Sequence, residues 1–587
     1  MSGLSAVEAR LVGAAGAGDE LDLRGTEDRE IRAAVLRDVL VGPVDPRGLR
    51  LRGATVVGRL DLDGLRIPCR VRLKDCVLAD GIWLRGGQLP MLQLSGSTVG
   101  RLLADDLVVD GSMLLRRVVG TGLVGLAGAR VSGRLDLTSV RLDSEGIALL
   151  ADRVVVGGDL LLDDAEVAGR SPAGALQLGG ARVAGRLSAR RLRVTNRAGP
   201  ALAAANLQVT DTLDLSRGSV LHGAGKDGAV RLVGARIGSL SLGGAELANP
   251  DGWALAAHYL DVSGTVYLDR VRATGGLRLS GGRIGGQLTL EAAVVDGGAD
   301  PALAGTRLHV AQAVVLDEAV LSSAGDRPTV DLRSARIAGD LELRRTRIAH
   351  PSGTALRLNT AVVDGRAILS EAEIESGALD LRDSTVGTLY DDPARVRGEV
   401  EANGLVYRGL PGHPGVTLGQ RLAWLGRMPA YAAQPYRQLA AAYQAAGHED
   451  DARKVLVSQQ QRLHGGLTGW TSLRHRLFGL FLQYGYQPLR AVALLAAVLL
   501  VSIGLFLGLA GGTRTEAGAA CPAVDRVGLA IDAAIPLVKT GADDRCKLAT
   551  GTGAGQGLAA AGWVLTLLGW GSATLVVAGY SGLVRRR

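Results

Sequence analysis

The chain has 587 residues, more than a single ordinary domain holds, so two or more structural units are expected. It contains 84 glycines and is 47% hydrophobic but only 3% aromatic, which excludes a core of bulky rings and favours many thin layers of small aliphatic side chains. The net charge is +8, but the arginines form no compact cluster with interleaved aromatics, so we predict no nucleic-acid partner.

Residues 1–45 are predicted to form a helical N-terminal cap. Residues 5–41 show two short helical patterns, and Thr26 followed by two acidic residues is typical of a helix start. The end of a repetitive β structure offers unpaired strand edges, so such an end needs a cover. No basic stretch followed by an apolar one opens the chain, and we therefore expect no signal peptide and a cytoplasmic location for this segment.

Residues 46–408 repeat a short phrase whose clearest copies read Gly-Arg-Leu-Asp-Leu at 58–62 and 133–137. Alternation of aliphatic and polar residues indicates β-strands. The copies recur at two spacings, about 11 residues in Leu60, Val71, Ile82 and Leu92, and about 26 residues in Leu135, Leu160, Leu187, Leu213, Leu240 and Val266. We therefore predict a mainly β fold, a right-handed β-helix solenoid of about 14 coils, with extra residues forming loops on one side.

A second phrase, a small residue followed by Ala, Arg and an aliphatic residue, precedes many copies of the first. It occurs at Gly128–Val131, Gly180–Val183, Gly234–Ile237 and Ser334–Ile337. The aliphatic residue is predicted to point into the coil and the arginine outwards. We interpret the arginines as stacked, solvent-facing rows, with a ligand-binding arginine ladder as the alternative. The recurring Asp61, Asp136 and Asp214 are likewise interpreted as a solvated face.

After the repeats, residues 409–489 are predicted to form a helical neck in which residues 436–463 make one hairpin, broken at Gly447. Residues 490–587 are predicted to form a membrane module with transmembrane helices at 491–510 and 557–579.

The charged flanks of these two spans predict the topology. The flanks contain Arg474, Arg476 and Arg490 before the first span and Arg585, Arg586 and Arg587 after the second. Cytoplasmic flanks are enriched in Arg and Lys, so we expect a two-pass protein of the cytoplasmic membrane with both termini in the cytoplasm and an extracytoplasmic loop at 511–556.

Two features of this loop are candidate sites. Cys521 and Cys546 are expected to meet an oxidising compartment, where they form a disulfide or remain two free thiols, whereas Cys69 and Cys76 stay reduced. The short apolar run at 527–538 contains Asp532 and Pro536, is too short to span, and is suited to a re-entrant or interfacial helix.

Several stretches together resemble a family of actinobacterial membrane proteins. They are the β-helix repeats, residues 436–463, Tyr-Gly-Tyr-Gln-Pro-Leu-Arg at 484–490, Asp-Ala-Ala-Ile-Pro-Leu-Val at 532–538, and Gly562-Trp563, so the resemblance covers essentially the whole chain. Members are commonly labelled membrane-associated oxidoreductases, and the membrane part is similar to two-helix ion channels that follow pentapeptide-repeat domains. The loop before the second span contains no TVGYG-like filter sequence.

The sequence contains no dinucleotide-binding turn between a strand and a helix, no phosphate loop, and no HExxH or CxxC motif. We therefore predict no cofactor, metal or catalytic site. The predicted function is a membrane-anchored cytoplasmic scaffold or interaction protein whose partners are the lipid bilayer and a second protein or second copy of itself. The alternative is a subunit of an oligomeric channel-like or transport-associated protein, and the resemblance implies a membrane-associated oxidoreductase as a third hypothesis.

Overall fold

The computed structural model describes residues 3–411, 415–464, 489–535 and 537–580. Two compact units divide the chain, Met1–Ala430 and Tyr431–Arg587. The predictions made for Arg474, Arg476, Pro536 and residues 585–587 lie outside the described residues.

The first unit is a parallel β-solenoid of about 15 turns, so the predicted repeat architecture is confirmed. Each regular coil contributes four short strands, and the coils stack into two 26-stranded sheets. The first and fourth strands of a coil lie in sheet 1 and the second and third in sheet 2. The predicted column with a spacing of about 26 residues is one stack of first strands, in which Leu135 pairs with Leu160 and Leu160 with Leu187.

The strands of sheet 1 are Glu20–Asp22, Leu49–Arg52, Val71–Lys74, Gln88–Leu89, Leu92–Gln93, Val108–Val109, Met113–Leu114, Arg130–Val131, Leu135–Asp136, Val155–Val156, Leu160–Leu161, Arg182–Val183, Leu187–Ser188, Gln208–Asp214, Arg236–Ser241, Asp261–Val262, Val266–Tyr267, Arg283–Ile284, Leu288–Thr289, His309–Val310, Val314–Val315, Arg336–Ile337, Leu341–Glu342, Val362–Ile368, Thr385–Tyr390 and Val406–Gly409.

The strands of sheet 2 are Glu30–Arg32, Thr55–Val57, Leu60–Asp61, Val77–Leu78, Ile82–Trp83, Thr98–Val99, Leu102–Leu103, Val119–Gly120, Val124–Gly125, Arg141–Asp143, Leu149–Leu150, Glu166–Gly169, Leu176–Gln177, Arg193–Asn196, Leu202–Ala203, Val220–His222, Val230–Arg231, Glu246–Ala256, Arg272–Arg278, Val294–Asp296, Leu303–Ala304, Val320–Ser322, Val330–Asp331, Arg347–Arg357, Glu373–Asp380 and Val400–Glu401.

The two spacings in the sequence have one structural cause. Leu60 pairs with Ile82 in sheet 2, whereas Val71 pairs with Leu92 in sheet 1, so a spacing of about 11 residues is half a coil. Later coils are longer because extra residues lie between the second and third strands, for example 170–175 and 223–229. In these coils the extra residues form loops on one side, as predicted, whereas in two later coils they lie within the continuous strands Glu246–Ala256 and Arg347–Arg357.

The N-terminal segment differs from the predicted pair of helices in one respect. Helices α1 (Ala6–Ala17) and α2 (Ala33–Val41) are present. Between them, however, the strand Glu20–Asp22 is part of sheet 1 and the strand Glu30–Arg32 is part of sheet 2. The prediction of a helix start at Thr26 is wrong, because the Thr26 hydroxyl donates to the Leu23 carbonyl in a turn (2.7 Å). The alternation at Glu30–Arg32 instead buries Ile31 in the solenoid.

The first unit ends in helical segments. A 3₁₀ turn at Pro393–Arg395 precedes the last strands, and α3 (Leu418–Leu425) follows them with a capping box formed by Thr417 and Gln420.

The second unit is mainly helical. A hairpin of α4 (Ala433–Ala445) and α5 (Glu449–His464) turns at Gly447, which has a φ of 82°. The remaining elements are α6 (Leu489–Gly508), a 3₁₀ turn (Ala510–Gly512), an antiparallel strand pair (Thr513–Thr515 and Cys546–Leu548), α7 (Ala523–Ala534), α8 (Ala542–Arg545) and α9 (Gly553–Tyr580).

Among the described residues, one helix has the length and apolar composition to cross a membrane. It covers 25 residues of α9, Gly553–Val577. The apolar part of α6, Val492–Gly508, is shorter. The structure therefore supports one candidate span directly, and this span overlaps the second of the two predicted membrane segments.

Candidate functional site

The arginines of the second phrase lie in one column on the fourth strands of sheet 1. Successive coils pair Arg130 with Val155 and Val155 with Arg182, and the same alternation continues to the C-terminal side. From Arg130 to Arg336 the column reads Arg130, Val155, Arg182, Gln208, Arg236, Asp261, Arg283, His309 and Arg336. An arginine thus occurs on every second coil, and we call these five arginines the arginine row.

The orientation predicted for the phrase is confirmed. Val131 and Ile237 are buried inside the coils, and the arginine that precedes each of them is exposed. The interpretation of directly stacked arginines needs correction, because a residue other than arginine separates each pair. Like charges directly opposite each other on neighbouring strands are destabilising, and the alternation avoids such pairs between Arg130 and Arg336.

Arg283 is a member of the row that the sequence interpretation missed. It follows Gly281 and Gly282, where the other copies have alanine immediately before the arginine. A phrase that allowed any small residue at that position would have found it.

The arginine row carries more positive charge than its column neutralises, since Asp261 between Arg236 and Arg283 is its one acidic neighbour in the column. Within the described part of the chain, none of its five side chains forms an ion pair or donates a hydrogen bond. Asp261 is the single carboxylate in the column, so the column carries four more arginines than acids. A positive strip of this kind favours anionic ligands.

A second outward column, on the second strands of sheet 2, provides a comparison. We call it the paired row; it contains Arg141, Glu166, Arg193, Glu246, Arg272, Arg347, Glu373 and Arg395 with valines between some of them. Arg141 lies 3.3 Å from Glu166, and Glu373 lies 3.3 Å from both Arg347 and Arg395. Three glutamates lie among the five arginines of this row, so its excess of positive charge is smaller than that of the arginine row, although Arg193 and Arg272 form no ion pair within the described residues.

The edge between the arginine row and the first strands is also largely neutral. Asp159 pairs with Arg186 at 3.4 Å and Asp340 with Arg366 at 2.6 Å, each across neighbouring coils. Hydrogen bonds from Arg366 hold the pKa of the Asp340 carboxyl below its usual value. On this side, neutralised pairs therefore border the uncompensated charge of the arginine row.

A surface hollow of about 290 Å³ lies on the strip. It is lined by Gln208, Thr210, Arg236, Gly238, Asp261 and Ser263. Gly238 cannot take a side chain, because an added Cβ would lie 2.3 Å from the carbonyl oxygen of Asp211. The floor of the hollow is thus backbone and small side chains, with Arg236 at its side.

The recurring aspartates form turns. Asp61, Asp136 and Asp214 each accept the backbone N–H of the residue two positions later, at 3.0 to 3.2 Å. The interpretation of a solvated face is wrong for Asp136, which is 0% exposed and receives a hydrogen bond from Arg116 at 2.5 Å. These contacts give the carboxylates a structural role.

The second candidate site is the segment between α6 and α9. Helix α7 packs against both helices, with Ala530 beside Phe506 and Leu558. Ala534 packs beside Val498 and Leu565, about 12 Å further along α6. The buried Ser502 hydroxyl donates to the Ala530 carbonyl at 2.8 Å.

The loop residues singled out in the sequence have defined contacts. Cys521 and Cys546 are joined by a disulfide, with Cα atoms 6.1 Å apart. The Asp532 carboxylate accepts hydrogen bonds from the N–H (2.7 Å) and the hydroxyl (3.0 Å) of Thr540, so it closes the connection after α7. Cys69 and Cys76 are buried free thiols in the first unit, and burial raises the pKa of Cys76 to about 11.

No group of three or more His, Cys, Asp or Glu side chains in the described ranges is arranged to hold a metal ion. Comparison of the chain with known protein families, with curated proteins and with solved structures finds no match in any of the three.

Proposed function

We propose that the chain is a two-pass protein of the cytoplasmic membrane whose β-solenoid is a cytoplasmic binding scaffold. Helices α6 and α9 are the two spans, and residues 511–552 form the extracytoplasmic connection. The observation that carries the proposal is the 25-residue apolar stretch of α9, packed with α6 and α7. The resemblance to actinobacterial membrane proteins agrees with this arrangement.

The outer surfaces of the two apolar helices support a lipid environment. Leu500 on α6 and Trp563 and Leu567 on α9 are each more than two thirds exposed. Contiguous apolar surface of this kind is unfavourable in water and favourable against hydrocarbon chains.

The cysteines support the assignment of sides. The disulfide between Cys521 and Cys546 lies in the connection between the helices, whereas the free Cys69 and Cys76 lie in the solenoid. Disulfides persist in oxidising compartments and are rare in the cytosol. This distribution agrees with a connection outside and a solenoid inside.

The proposal includes a covered first coil. Helix α1 contacts the strands Glu20–Asp22, Glu30–Arg32 and Leu49–Arg52, and α2 contacts Leu60–Asp61. We propose that the two helices shield this end of a right-handed solenoid from edge-to-edge association.

Protease protection in spheroplasts tests the topology. One epitope tag is placed at the N-terminus and a second after the exposed Gly518. External protease should remove the second tag and leave the first intact until the membrane is permeabilised. Digestion of the N-terminal tag in intact spheroplasts would contradict the proposal.

A second candidate function is a subunit of an oligomeric channel-like protein. Its supporting observation is the packing of α7 between α6 and α9, the placement expected of a re-entrant segment. Two spans per chain cannot enclose an aqueous path, so several copies would have to surround one axis. Planar-bilayer recordings of the reconstituted protein distinguish this candidate from the anchor.

A further inference from the structure

We infer that the arginine row binds an extended acidic peptide, in polyproline II conformation, with a carboxylate at every third residue. This inference rests on the proposed scaffold function and names its partner. Five exposed arginines without ion-pair partners among the described residues provide the charge.

The spacing of the row selects the ligand conformation. Adjacent coils are ~4.8 Å apart, so arginines on every second coil are ~9.6 Å apart. Three residues of polyproline II rise ~9.3 Å and complete one turn, which returns the side chain to the same side. Over the four intervals from Arg130 to Arg336 the mismatch accumulates to only ~1.2 Å, within the reach of flexible arginine side chains.

Other peptide conformations fit less well. Same-side residues of a β-strand are ~6.8 Å apart, so most carboxylates would fall between the arginines. The corresponding repeat of an α-helix, seven residues, is ~10.5 Å, and the mismatch grows to ~3.6 Å over four intervals. Polyproline II therefore gives the best agreement.

The width of the strip disfavours broad anionic partners. A membrane surface or a nucleic-acid duplex would also cover the neighbouring edge, where Asp159 and Asp340 are located. A single nucleic-acid strand would gain from several aromatic side chains on which bases stack, whereas the column from Arg130 to Arg336 contains none and the exposed Tyr259 lies beside it, two residues before Asp261. A narrow peptide avoids Asp159 and Asp340 and meets five arginines and one acid, Asp261.

Fluorescence anisotropy of the purified full-length chain in nonionic detergent tests the inference. The probe is a labelled peptide of five Glu-Pro-Pro repeats, and its control is an isomer of the same composition with the five glutamates contiguous. We expect the repeat peptide to bind about tenfold more tightly, because its carboxylates alone match the arginine spacing.

Matched triple variants locate the site. Arg182→Gln, Arg236→Gln and Arg283→Gln together should weaken binding of the repeat peptide by about tenfold, since three exposed ion pairs are lost. Arg141→Gln, Arg193→Gln and Arg272→Gln in the paired row should change it by less than about twofold. Thermal unfolding of both variants checks that the solenoid remains folded.

Three results would overturn the inference. The first is equal affinity for the two peptides, and the second is an equal loss of binding in the two triple variants. The third is that the repeat peptide does not bind, while anionic vesicles or duplex DNA bind and lose affinity when the arginine row is substituted. Because binding is measured on the purified chain, none of these results bears on the membrane topology, and a failed topology leaves the binding result intact.

Discussion

Arg421 on α3 forms a bidentate ion pair with Asp391, which follows the strand Thr385–Tyr390 at the end of the solenoid. The Nη2–Oδ1 distance is 2.6 Å and the Nε–Oδ2 distance is 2.9 Å, and both side chains are less than one tenth exposed. Arg427 adds a hydrogen bond to the carbonyl of Pro393 (3.0 Å). Buried polar contacts therefore stabilise the packing of helix α3 against the last coils.

Replacing Arg421 by leucine should destabilise this end of the solenoid by about 3–5 kcal/mol, because Asp391 would remain buried without its counter-charge. Hydrogen exchange at residues 385–409 measures the effect. The double variant with Asp391→Leu should recover much of the loss. Arg453→Leu removes an exposed pair with Glu449 in α5 and should cost no more than about 0.5 kcal/mol. Similar losses in Arg421→Leu and Arg453→Leu would contradict the prediction.

The N-terminal segment should lose stability in acid through Glu8. This carboxylate is almost fully buried, and hydrogen bonds from Arg32 lower its pKa from 4.5 to about 2. A depressed pKa means that ionised Glu8 favours the folded state, so its contribution is complete above about pH 4.5 and is lost as the pH falls towards 2.

Hydrogen exchange in α1 and α2, measured between pH 5 and pH 2.5, should therefore show a pH dependence that Glu8→Gln reduces. Glu27→Gln, at an exposed position in the same segment, is the control and should leave the dependence unchanged. An unaltered pH dependence in Glu8→Gln would show that other groups cause the acid sensitivity.

The buried leucines of the first strands could be predicted from the sequence, because the alternation of aliphatic and polar residues that identifies them involves only neighbouring positions. Leu135 and Leu160 are recognisable from the alternation around them, and their pairing follows from the repeat length. A two-residue strand has too few positions to show an alternation, so Arg130–Val131 could not be recognised from the sequence as a strand of its own. The number of strands per coil was therefore not predictable.

The other differences depend on contacts between distant residues. Asp136 is buried by Arg116, which belongs to the preceding coil. The alternation within the arginine row depends on coil lengths that vary with the loops, so Val155 and Gln208 could not be placed between arginines from local sequence. Pairing of Cys521 with Cys546 was one of two alternatives, since spacing alone does not decide between a disulfide and free thiols.

Left-handed corners offer a further test of the fold. In the part of the chain that the structure describes, eighteen non-glycine residues have a positive φ, among them Ala292 with a φ of 53°. The left-handed conformation costs an alanine about 1 kcal/mol or more, which exceeds the added freedom of glycine in the unfolded chain. Ala292→Gly should therefore stabilise the solenoid by about 0.5 kcal/mol, measured as a higher urea midpoint by circular dichroism.

The adjacent Ala293 is a matched control for this substitution. It is fully buried and has no positive φ, so Ala293→Gly should lose a packed methyl group and destabilise by about 1 kcal/mol. Destabilisation by both substitutions would contradict the proposed strain at Ala292.

The disulfide should stabilise the connection between α6 and α9. It closes a separation of 25 residues, for which the chain-entropy estimate is about 3 kcal/mol. Replacing Cys521 and Cys546 by serine should raise hydrogen exchange in the strands Thr513–Thr515 and Cys546–Leu548, while the hairpin of α4 and α5 keeps its protection. Unchanged exchange in the strand pair would show that the bond contributes little.

The last prediction separates the anchor from the channel. Asp532 bonds to Thr540, and an asparagine at this position keeps an oxygen that can accept the Thr540 N–H. We therefore expect Asp532→Asn to insert and fold like the parent, and both proteins to give no selective current in planar bilayers, because the carboxylate closes a loop within one chain. The matched substitution Asp525→Asn alters an acid of α7 that pairs with Arg545 and should also give no current. Single-channel steps in the parent protein that persist in Asp525→Asn and disappear in Asp532→Asn would contradict the anchor proposal. They would favour the oligomeric channel, because a folded protein lacking only the Asp532 charge would have lost conduction.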